Sequence, residues 1–168
     1  MAIVTSAGAG MRAAGRATIL QLRAPLSTAR TIAAEAAALV ASSPVPVVVS
    51  SRCDIAMSAG AAGVNLPESD IAVAAARALM GERLVGRSVH SLDSALRAES
   101  EGADYVIFGP VWSSASHPGS AATGTAALAD VARALRIPVL AIGGVTEERI
   151  AECHVAGAAG YAAIGLFQ

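Results

Sequence analysis

The most informative absence in this sequence is lysine, since all 12 basic residues are arginine. Without a lysine amine, the chain cannot perform Schiff-base chemistry, use a Walker-type phosphate lysine or use a lysine general base. Aromatic residues make up only 3% of a chain that is 54% hydrophobic, so the core must consist mainly of alanine, valine, isoleucine and leucine. The net charge of −1 argues against a nucleic-acid partner and against an anionic membrane surface.

Cysteine is scarce, and no long apolar run is present. Cys53 and Cys153 are too few and too far apart for a disulfide scaffold or a thiolate zinc site, and we expect both to be small buried apolar residues. The N-terminus lacks a charged segment followed by an apolar one, and no stretch reaches about 18 uninterrupted apolar residues. These features predict a cytoplasmic protein with a single domain over residues 1–168.

Short apolar runs alternate with helical patterns along the chain. The runs predict eight strands, at Ala2–Thr5, Thr18–Leu22, Val45–Val49, Gly63–Leu66, Leu84–Val89, Tyr105–Phe108, Pro138–Ile142 and Gly160–Ile164. Capping residues predict helix starts at Ser27, Asp54, Asp70, Ser91 and Thr146. A helix–glycine–strand join recurs at Gly60, Gly102 and Gly157, with a weaker version at Gly15. Repeated joins of this kind indicate βα units on a parallel sheet.

Eight such strands predict an α/β fold, a closed TIM (β/α)8 barrel, with a doubly wound open sheet as the alternative. The barrel would be compact, because this fold normally takes roughly 200 residues or more. The segment between the first two strands leaves barely room for a helix, so we expect a reduced first helix, and the last helix is missing. The uncovered flanks of strands 8 and 1 predict either a homo-oligomer contact or a chain shorter than its relatives.

A glycine pair follows the seventh predicted strand. Pro138–Ile142 is followed by Gly143, Gly144 and the helix-capping residue Thr146. Glycine turns at helix N-termini expose backbone N–H groups, and the helix dipole there also favours an anion. The pattern indicates either a phosphate site at the carboxyl end of a strand or an ordinary tight turn.

Four segments, in order along the chain, resemble the thiamine phosphate synthase/TenI superfamily. They are Gln21-Leu22-Arg23, Gly86-Arg87-Ser88-Val89-His90-Ser91-Leu92, the run from Ala103 to Val111, and Ala141-Ile142-Gly143-Gly144. The resemblance runs from about Ala14 to Phe167. It implies a TIM barrel that binds the phosphorylated thiazole half of thiamine, with Gln21, Ser88 and Pro110 among the substrate-binding residues.

Three departures from the synthase pattern favour the other branch of this superfamily, the TenI-type thiazole tautomerases. The synthase has an Asn-Asp-Arg after strand 3, and this chain has Ser50-Ser51-Arg52, so a carboxylate ligand of Mg²⁺ is replaced. Asp70 matches the second metal aspartate, although it also suits a helix cap. The lysines of the synthase's Gln-Leu-Arg-Glu-Lys motif and of its loop after strand 6 are absent as well. We therefore expect no metal and no cofactor.

His90 is the expected catalytic residue of such a tautomerase. The implied reaction is a proton shift that aromatises a thiazole carboxylate phosphate, and histidine is the side chain whose ordinary pKa suits it. His90 follows a strand, at the barrel end where catalysis occurs, although it could instead orient the loop or cap a helix. Some tautomerases carry a second histidine where this chain has Pro110. Either His90 acts alone, or His117 enters from the long loop, or the protein binds without turnover.

Arginines and glycines are the expected anion ligands. Arg23 and Arg52 end strands 2 and 3, where a guanidinium could hold a carboxylate with two hydrogen bonds. The alternative is an ion pair with one of three nearby carboxylates, Asp54, Glu68 or Asp70. The phosphate is expected on the backbone N–H groups of three glycines, Gly143, Gly144 and Gly165. Besides a tautomerase, the patterns leave open a thiamine phosphate synthase or a catalytically silent regulatory binder.

Overall fold

Eight parallel strands follow one another in chain order around a single sheet in the computed structural model, which describes residues 1–113 and 121–168. They are β1 (Ala2–Val4), β2 (Leu20–Leu22), β3 (Val47–Ser50), β4 (Gly63–Leu66), β5 (Leu84–Val89), β6 (Tyr105–Phe108), β7 (Val139–Ile142) and β8 (Gly160–Ala162). A parallel bridge between Ala2 and Ala163, with a hydrogen bond of 2.9 Å from Ile3 N to Ala163 O, joins β8 to β1. The predicted TIM barrel is confirmed, and the open sheet is excluded.

Helices cover the outside of this barrel. They are α1 (Ala7–Ala13), α2 (Ala29–Ser42), α3 (Cys53–Ser58), α4 (Val73–Met80), α5 (Leu92–Ser100), α6 (Gly124–Ala134) and α7 (Ile150–Val155). After β8 the described residues form a 3-10 turn, Gly165–Phe167, rather than an α-helix. The ring of Phe167 stacks on Tyr161 of β8 with 6.2 Å between centroids. Among the described helices, none has the length and apolar character needed to cross a bilayer.

The first helix is reduced, as expected, to the seven residues Ala7–Ala13. Ser6 caps α1 by accepting a hydrogen bond from Ala9 N at 3.2 Å. Glycine lowers helix propensity, yet α1 contains two glycines, Gly8 and Gly10. A methyl group on Gly10 would lie 2.5 Å from Leu39 Cδ1 of α2. The glycine therefore permits a close contact between α1 and α2 that stabilises the helix.

Most predicted helix starts are wrong by a few residues, although Ser91 does cap α5 as predicted. The cap of α2 is Thr28, the residue after the predicted one. At other helix starts, carboxylates from distant parts of the chain accept hydrogen bonds from backbone N–H groups. Glu101 Oε2, for example, accepts from Val73 N at 2.9 Å at the start of α4. Such partners cannot be read from local spacing. Three predicted caps lie away from a helix start: Asp54 inside α3, Asp70 before α4 and Thr146 before α7.

The glycine joins are confirmed at three positions. Gly60, Gly102 and Gly157 have φ angles of 68°, 93° and 86°, the left-handed conformation that ends a helix without a steric penalty. Gly15 is not among the positive-φ glycines, so the weaker fourth version of the join is wrong. The confirmed joins turn the chain directly into β4, β6 and β8.

Arg77 of α4 holds together several of the loops at the amino ends of the strands. Its guanidinium donates to the carbonyl oxygens of Gly81, Arg83 and Gly102, at 2.8, 2.7 and 3.0 Å. It also pairs with the carboxylate of Asp104, which in turn accepts from Val85 N at 2.7 Å. One side chain therefore connects the loop before β5 to the loop before β6.

The barrel interior is apolar at the amino end of the strands and becomes polar towards the carboxyl end. Tyr105 fills the apolar part, and a methyl group on Gly86 would lie 2.0 Å from the Cζ atom of its ring. Burial raises the pKa of the Tyr105 phenol, and its hydroxyl has no hydrogen-bond partner among the described residues. Towards the carboxyl end the inward side chains include Gln21, Asn65 and Ser88, and these form the floor of a cavity.

Candidate active site at the carboxyl end of the barrel

A cavity of about 290 Å³ opens at the carboxyl ends of the strands, where barrel enzymes place their active sites. One side is polar and is lined by Gln21, Ser50, Asn65 and Ser88 of β2 to β5. The other side is apolar and is lined by Ile3, Ile107, Ile142 and Ile164. A small apolar pocket with a few placed polar groups is the usual form of a small-molecule site. A ligand in this cavity would have polar side chains on one side and apolar side chains on the other.

The cavity brings together most of the residues that the sequence singled out. The lining includes Gln21, Arg23, Ser88, His90, Pro110 and Gly143. The lining does not include Arg52, Gly144 or Gly165. His117 lies outside the described residues. The contribution of each of these residues to substrate binding or catalysis stays a prediction.

His90 lies at the rim of the cavity, with 56% of its side chain exposed. Its Nδ1 atom contacts the carbonyl oxygen of Gly109. Because a carbonyl oxygen only accepts, we assign the proton to Nδ1, which leaves Nε2 as the atom that can exchange a proton. Nε2 lies 3.9 Å from Oε2 of Glu68, and the backbone N–H of His90 donates to Oε1 of the same carboxylate at 3.2 Å. The imidazole is thus held by the carbonyl oxygen of Gly109 and lies beside the carboxylate of Glu68, with more than half of its side chain exposed.

Glu68 is a cavity residue that the sequence analysis considered only as an ion-pair partner for an arginine. Its loop is held by Arg87, whose guanidinium donates to the carbonyl oxygens of Glu68 and Ile71, both at 2.7 Å. The sequence feature that could have identified Glu68 is its position two residues after the end of β4, at the carboxyl end of the barrel strands. The carboxylate therefore belongs to the surroundings of His90.

Two buried amides form part of the floor. Gln21 is 2% exposed and Asn65 is 1% exposed. Asn65 Nδ2 donates to Ser88 Oγ at 3.1 Å. Within the described part of the chain, Gln21 Oε1 and Asn65 Oδ1 have no hydrogen-bond partner. A buried polar atom without a partner costs free energy, so it calls for a water or a ligand to complete its hydrogen bonding.

The two predicted arginines have different surroundings. Arg52 donates from Nε and Nη2 to the two carboxylate oxygens of Asp54, at 2.8 and 2.5 Å, which is the ion-pair alternative. The hydrogen bond from Arg52 lowers the pKa of Asp54 to about 2. Arg23 is half-buried and lines the cavity, and its guanidinium makes no hydrogen bond or ion pair with the described residues. Arg23 is therefore the arginine that a bound anion would meet in the cavity.

The glycine pair after β7 adopts φ angles of 92° and 64°. A methyl group on Gly143 would lie 2.6 Å from Pro110 Cα, and one on Gly144 would lie 2.7 Å from Trp112 Cβ. The glycines therefore let the loop after β6 pack closely on this turn. The predicted helix start behind the turn is wrong, because α7 begins only at Ile150. Anion binding here would depend on the N–H groups of the turn and not on a helix end.

Comparison with known protein families decides where this barrel belongs. A family model described as thiamine monophosphate synthase matches residues 6–167. The chain belongs to the thiamine monophosphate synthase family. This agrees with the superfamily resemblance seen in the sequence motifs.

Relatives within the thiamine monophosphate synthase family carry synthase names. The putative thiamine-phosphate synthase 2 of Aquifex aeolicus is 38% identical over 136 residues, which cover 81% of this chain and 73% of the relative. The thiamine-phosphate synthase of Chloroflexus aurantiacus is 36% identical over 154 residues, covering 89% and 71%. The structure of thiamine phosphate pyrophosphorylase from Pyrococcus furiosus matches with a TM-score of 0.88 at 28% identity, covering 98% and 84%. These names favour the synthase branch over the tautomerase branch that the motifs favoured.

The Mg²⁺ site that the resemblance implies for synthases of this family does not fit the residues present here. Among the described residues there is no group of three or more histidine, cysteine, aspartate or glutamate side chains that could hold a metal ion. Ser51 follows the last residue of β3, at the position where the synthase pattern has a carboxylate. The Oδ1 atom of Asp70 accepts a hydrogen bond from Ile71 N at 2.8 Å. Hydroxyls are weak substitutes for the carboxylates that usually bind Mg²⁺.

Proposed function

We propose that this chain is an enzyme of thiamine biosynthesis whose cavity binds a phosphorylated thiazole. Membership of the thiamine monophosphate synthase family over residues 6–167 carries this proposal. The cavity supports it through its chemistry. Ile107 and Ile142 offer an apolar surface to a ring, Arg23 offers a cation to an anionic group, and Gln21 offers a polar atom to a ring substituent. We expect a small-molecule ligand and no nucleic-acid partner.

The first candidate reaction is the joining of a pyrimidine diphosphate to the thiazole phosphate. The synthase names of the relatives support it. In this reaction the residues of the chain would bind and orient the two rings, with Arg23 neutralising part of the phosphate charge. The poor fit of the described residues to Mg²⁺ argues against this candidate.

The second candidate is the proton shift that aromatises a thiazole carboxylate phosphate. The exposed side chain of His90 supports it, because a neutral imidazole with its proton on Nδ1 is a base at Nε2. Nε2 would take a proton from one ring carbon, and the resulting imidazolium would return that proton to the other position. Glu68, whose Oε2 lies 3.9 Å from Nε2, would stabilise the imidazolium in between. No metal takes part in such a proton shift.

One experiment separates these candidates. The purified protein is incubated with both thiamine halves and Mg²⁺, and thiamine phosphate is measured by chromatography and mass spectrometry. In parallel, it is incubated with the thiazole carboxylate phosphate without metal, and aromatisation is followed by proton NMR. Formation of thiamine phosphate supports the synthase, and aromatisation alone supports the tautomerase. Binding of thiazole phosphate without turnover supports a regulatory homologue, and absence of binding would refute the proposed substrate class.

A further inference from the structure

Asn65 of β4 is a buried amide in the cavity floor whose role the proposed reactions leave unassigned. It is 1% exposed, and its neighbours in the sheet register are Ser50 on β3 and Gly86 on β5. We propose that Asn65 is a ligand-positioning residue, which hydrogen-bonds to a polar ring atom of the bound heterocycle and so sets the orientation of the ring. The identity of that heterocycle rests on the proposed function.

The hydrogen bonding of Asn65 is incomplete without a ligand. Nδ2 donates to Ser88 Oγ at 3.1 Å, and Oδ1 has no partner within the described residues. A serine hydroxyl can either accept or donate, so turning the amide over would pair Oδ1 with Ser88 and leave the amide NH₂ with an unused donor. In either orientation the amide keeps one unused polar group. Gly86 on the adjacent strand has no side chain with which to satisfy it.

The surroundings of the unused group point to the cavity. Asn65 and Gln21 both line it, and both have an unpartnered oxygen. On the other side of the cavity, Ile107 and Ile142 offer no polar atom from their side chains. A ring that packs against the isoleucines would therefore present its polar edge to the two amides. Phosphate groups, by contrast, are expected at Arg23 and the glycine turn, nearer the open end.

The packing of β4 gives no reason for an unpartnered polar atom at this position. The other three residues of β4 are Gly63, Val64 and Leu66, all of them apolar and buried. An unpartnered buried polar group lowers stability, and an apolar side chain at this position would remove that cost. Ser88, which would lose its hydrogen bond from Asn65, is only half-buried and can bond to water instead. A buried residue that lowers stability is typical of a functional site.

The test compares two variants, Asn65→Leu and Asn65→Ala, with the parent protein. Leucine keeps the branched shape of asparagine, and alanine is too small to overfill the cavity floor. Affinities for 4-methyl-5-(2-hydroxyethyl)thiazole phosphate and for inorganic phosphate are measured by calorimetry, and melting temperatures are recorded. We expect both variants to bind the thiazole phosphate about tenfold more weakly, which is about 1.4 kcal/mol, and inorganic phosphate within about twofold of the parent. We also expect Asn65→Leu to melt at or above the temperature of the parent. The control is Tyr105→Phe, which removes another unpartnered polar atom outside the cavity lining and should change neither affinity.

Unchanged thiazole phosphate affinity in folded variants would overturn the proposal, as would equal losses for both ligands together with a lower melting temperature. If Asn65→Leu does not fold, Asn65→Ala decides the binding result. If the parent does not bind thiazole phosphate, the proposed substrate is wrong, and the melting temperatures then decide the role of Asn65. A more stable Asn65→Leu protein would support a ligand role, and a less stable one would make Asn65 a structural residue.

Discussion

Replacing Gly86 with alanine should destabilise the barrel by about 2–3 kcal/mol, because the added methyl group has no space. It would lie 2.0 Å from the Cζ atom and 2.4 Å from the hydroxyl oxygen of Tyr105, a side chain that is only 7% exposed. The two residues are paired in register across β5 and β6, so the ring can move only by displacing other interior side chains. Overpacking of this kind typically costs about 1–3 kcal/mol and sometimes more. Restricting the unfolded chain returns only about 0.4–1 kcal/mol.

For a chain of this size, such a loss lowers the melting temperature by roughly 5–10 °C. Urea unfolding of the parent, Gly86→Ala, Tyr105→Leu and the double variant measures how far the two sites are coupled. In the Tyr105→Leu background, Gly86→Ala should cost less than about 1 kcal/mol, which gives a coupling energy of about 2 kcal/mol. Tyr105→Phe keeps the ring and should give no rescue. An equal cost of Gly86→Ala in the parent and in the Tyr105→Leu background would refute the reasoning.

Four further predictions concern residues near the cavity. Arg23→Gln should weaken binding of thiazole phosphate by at least about tenfold, whereas Arg52→Gln should weaken it by less than about twofold, because of these two arginines only Arg23 lines the cavity. Equal losses of affinity for the two variants, measured by calorimetry, would contradict this. His90→Asn should slow the proton shift about 10²–10⁴-fold in the NMR assay, and a near-parental rate would remove His90 as the base. Gly144→Val should lower both the melting temperature and the affinity for phosphate ligands, since a side chain at a φ angle of 64° is strained and would displace the loop after β6. A folded variant with unchanged melting temperature and affinity would show that the turn tolerates a side chain. Because the pKa of Asp54 is lowered, its ion pair stabilises the fold above pH 3.8, the ordinary pKa of the group, and this stabilisation is lost as the pH falls through about 2. Arg52→Gln should therefore raise the pKa of Asp54 towards 3.8 in a carbon NMR titration, and it should change stability at neutral pH very little because the pair is exposed.

The strands were predictable because their signal is local. β4, β5 and β6 begin and end at the predicted residues, since glycine, proline or polar turn residues lie close to both ends of each strand. Helix starts were less predictable, because part of their stabilisation comes from other elements. Glu101 of the loop after α5 accepts from the first turn of α4, and Glu35 of α2 accepts from Ala7 N at 2.5 Å at the start of α1. No spacing along the chain reveals these partners.

The lining of the cavity was predictable where a motif marks the end of a strand, as at Arg23, His90 and Gly143. Asn65 and Glu68 belong to no such motif and were not assigned to the site. The alternation along β4 puts Gly63 and Asn65 on one face, but the sequence does not say which face points inward. That depends on closure of the barrel, which involves all eight strands.

The hydrogen bonds and ion pair of Arg77 have a consequence for the evolution of this barrel. They connect loops at the amino ends of the strands, whereas the cavity lies at their carboxyl ends, so the two ends are stabilised by separate contacts. Effects of substitutions at distant, unconnected sites are usually additive. A destabilising substitution in the cavity would therefore leave the contacts of Arg77 intact, and these contacts would continue to stabilise the barrel. The residues around the ligand could then diverge towards a new substrate without loss of the fold, which would help explain how one barrel family could support more than one chemistry.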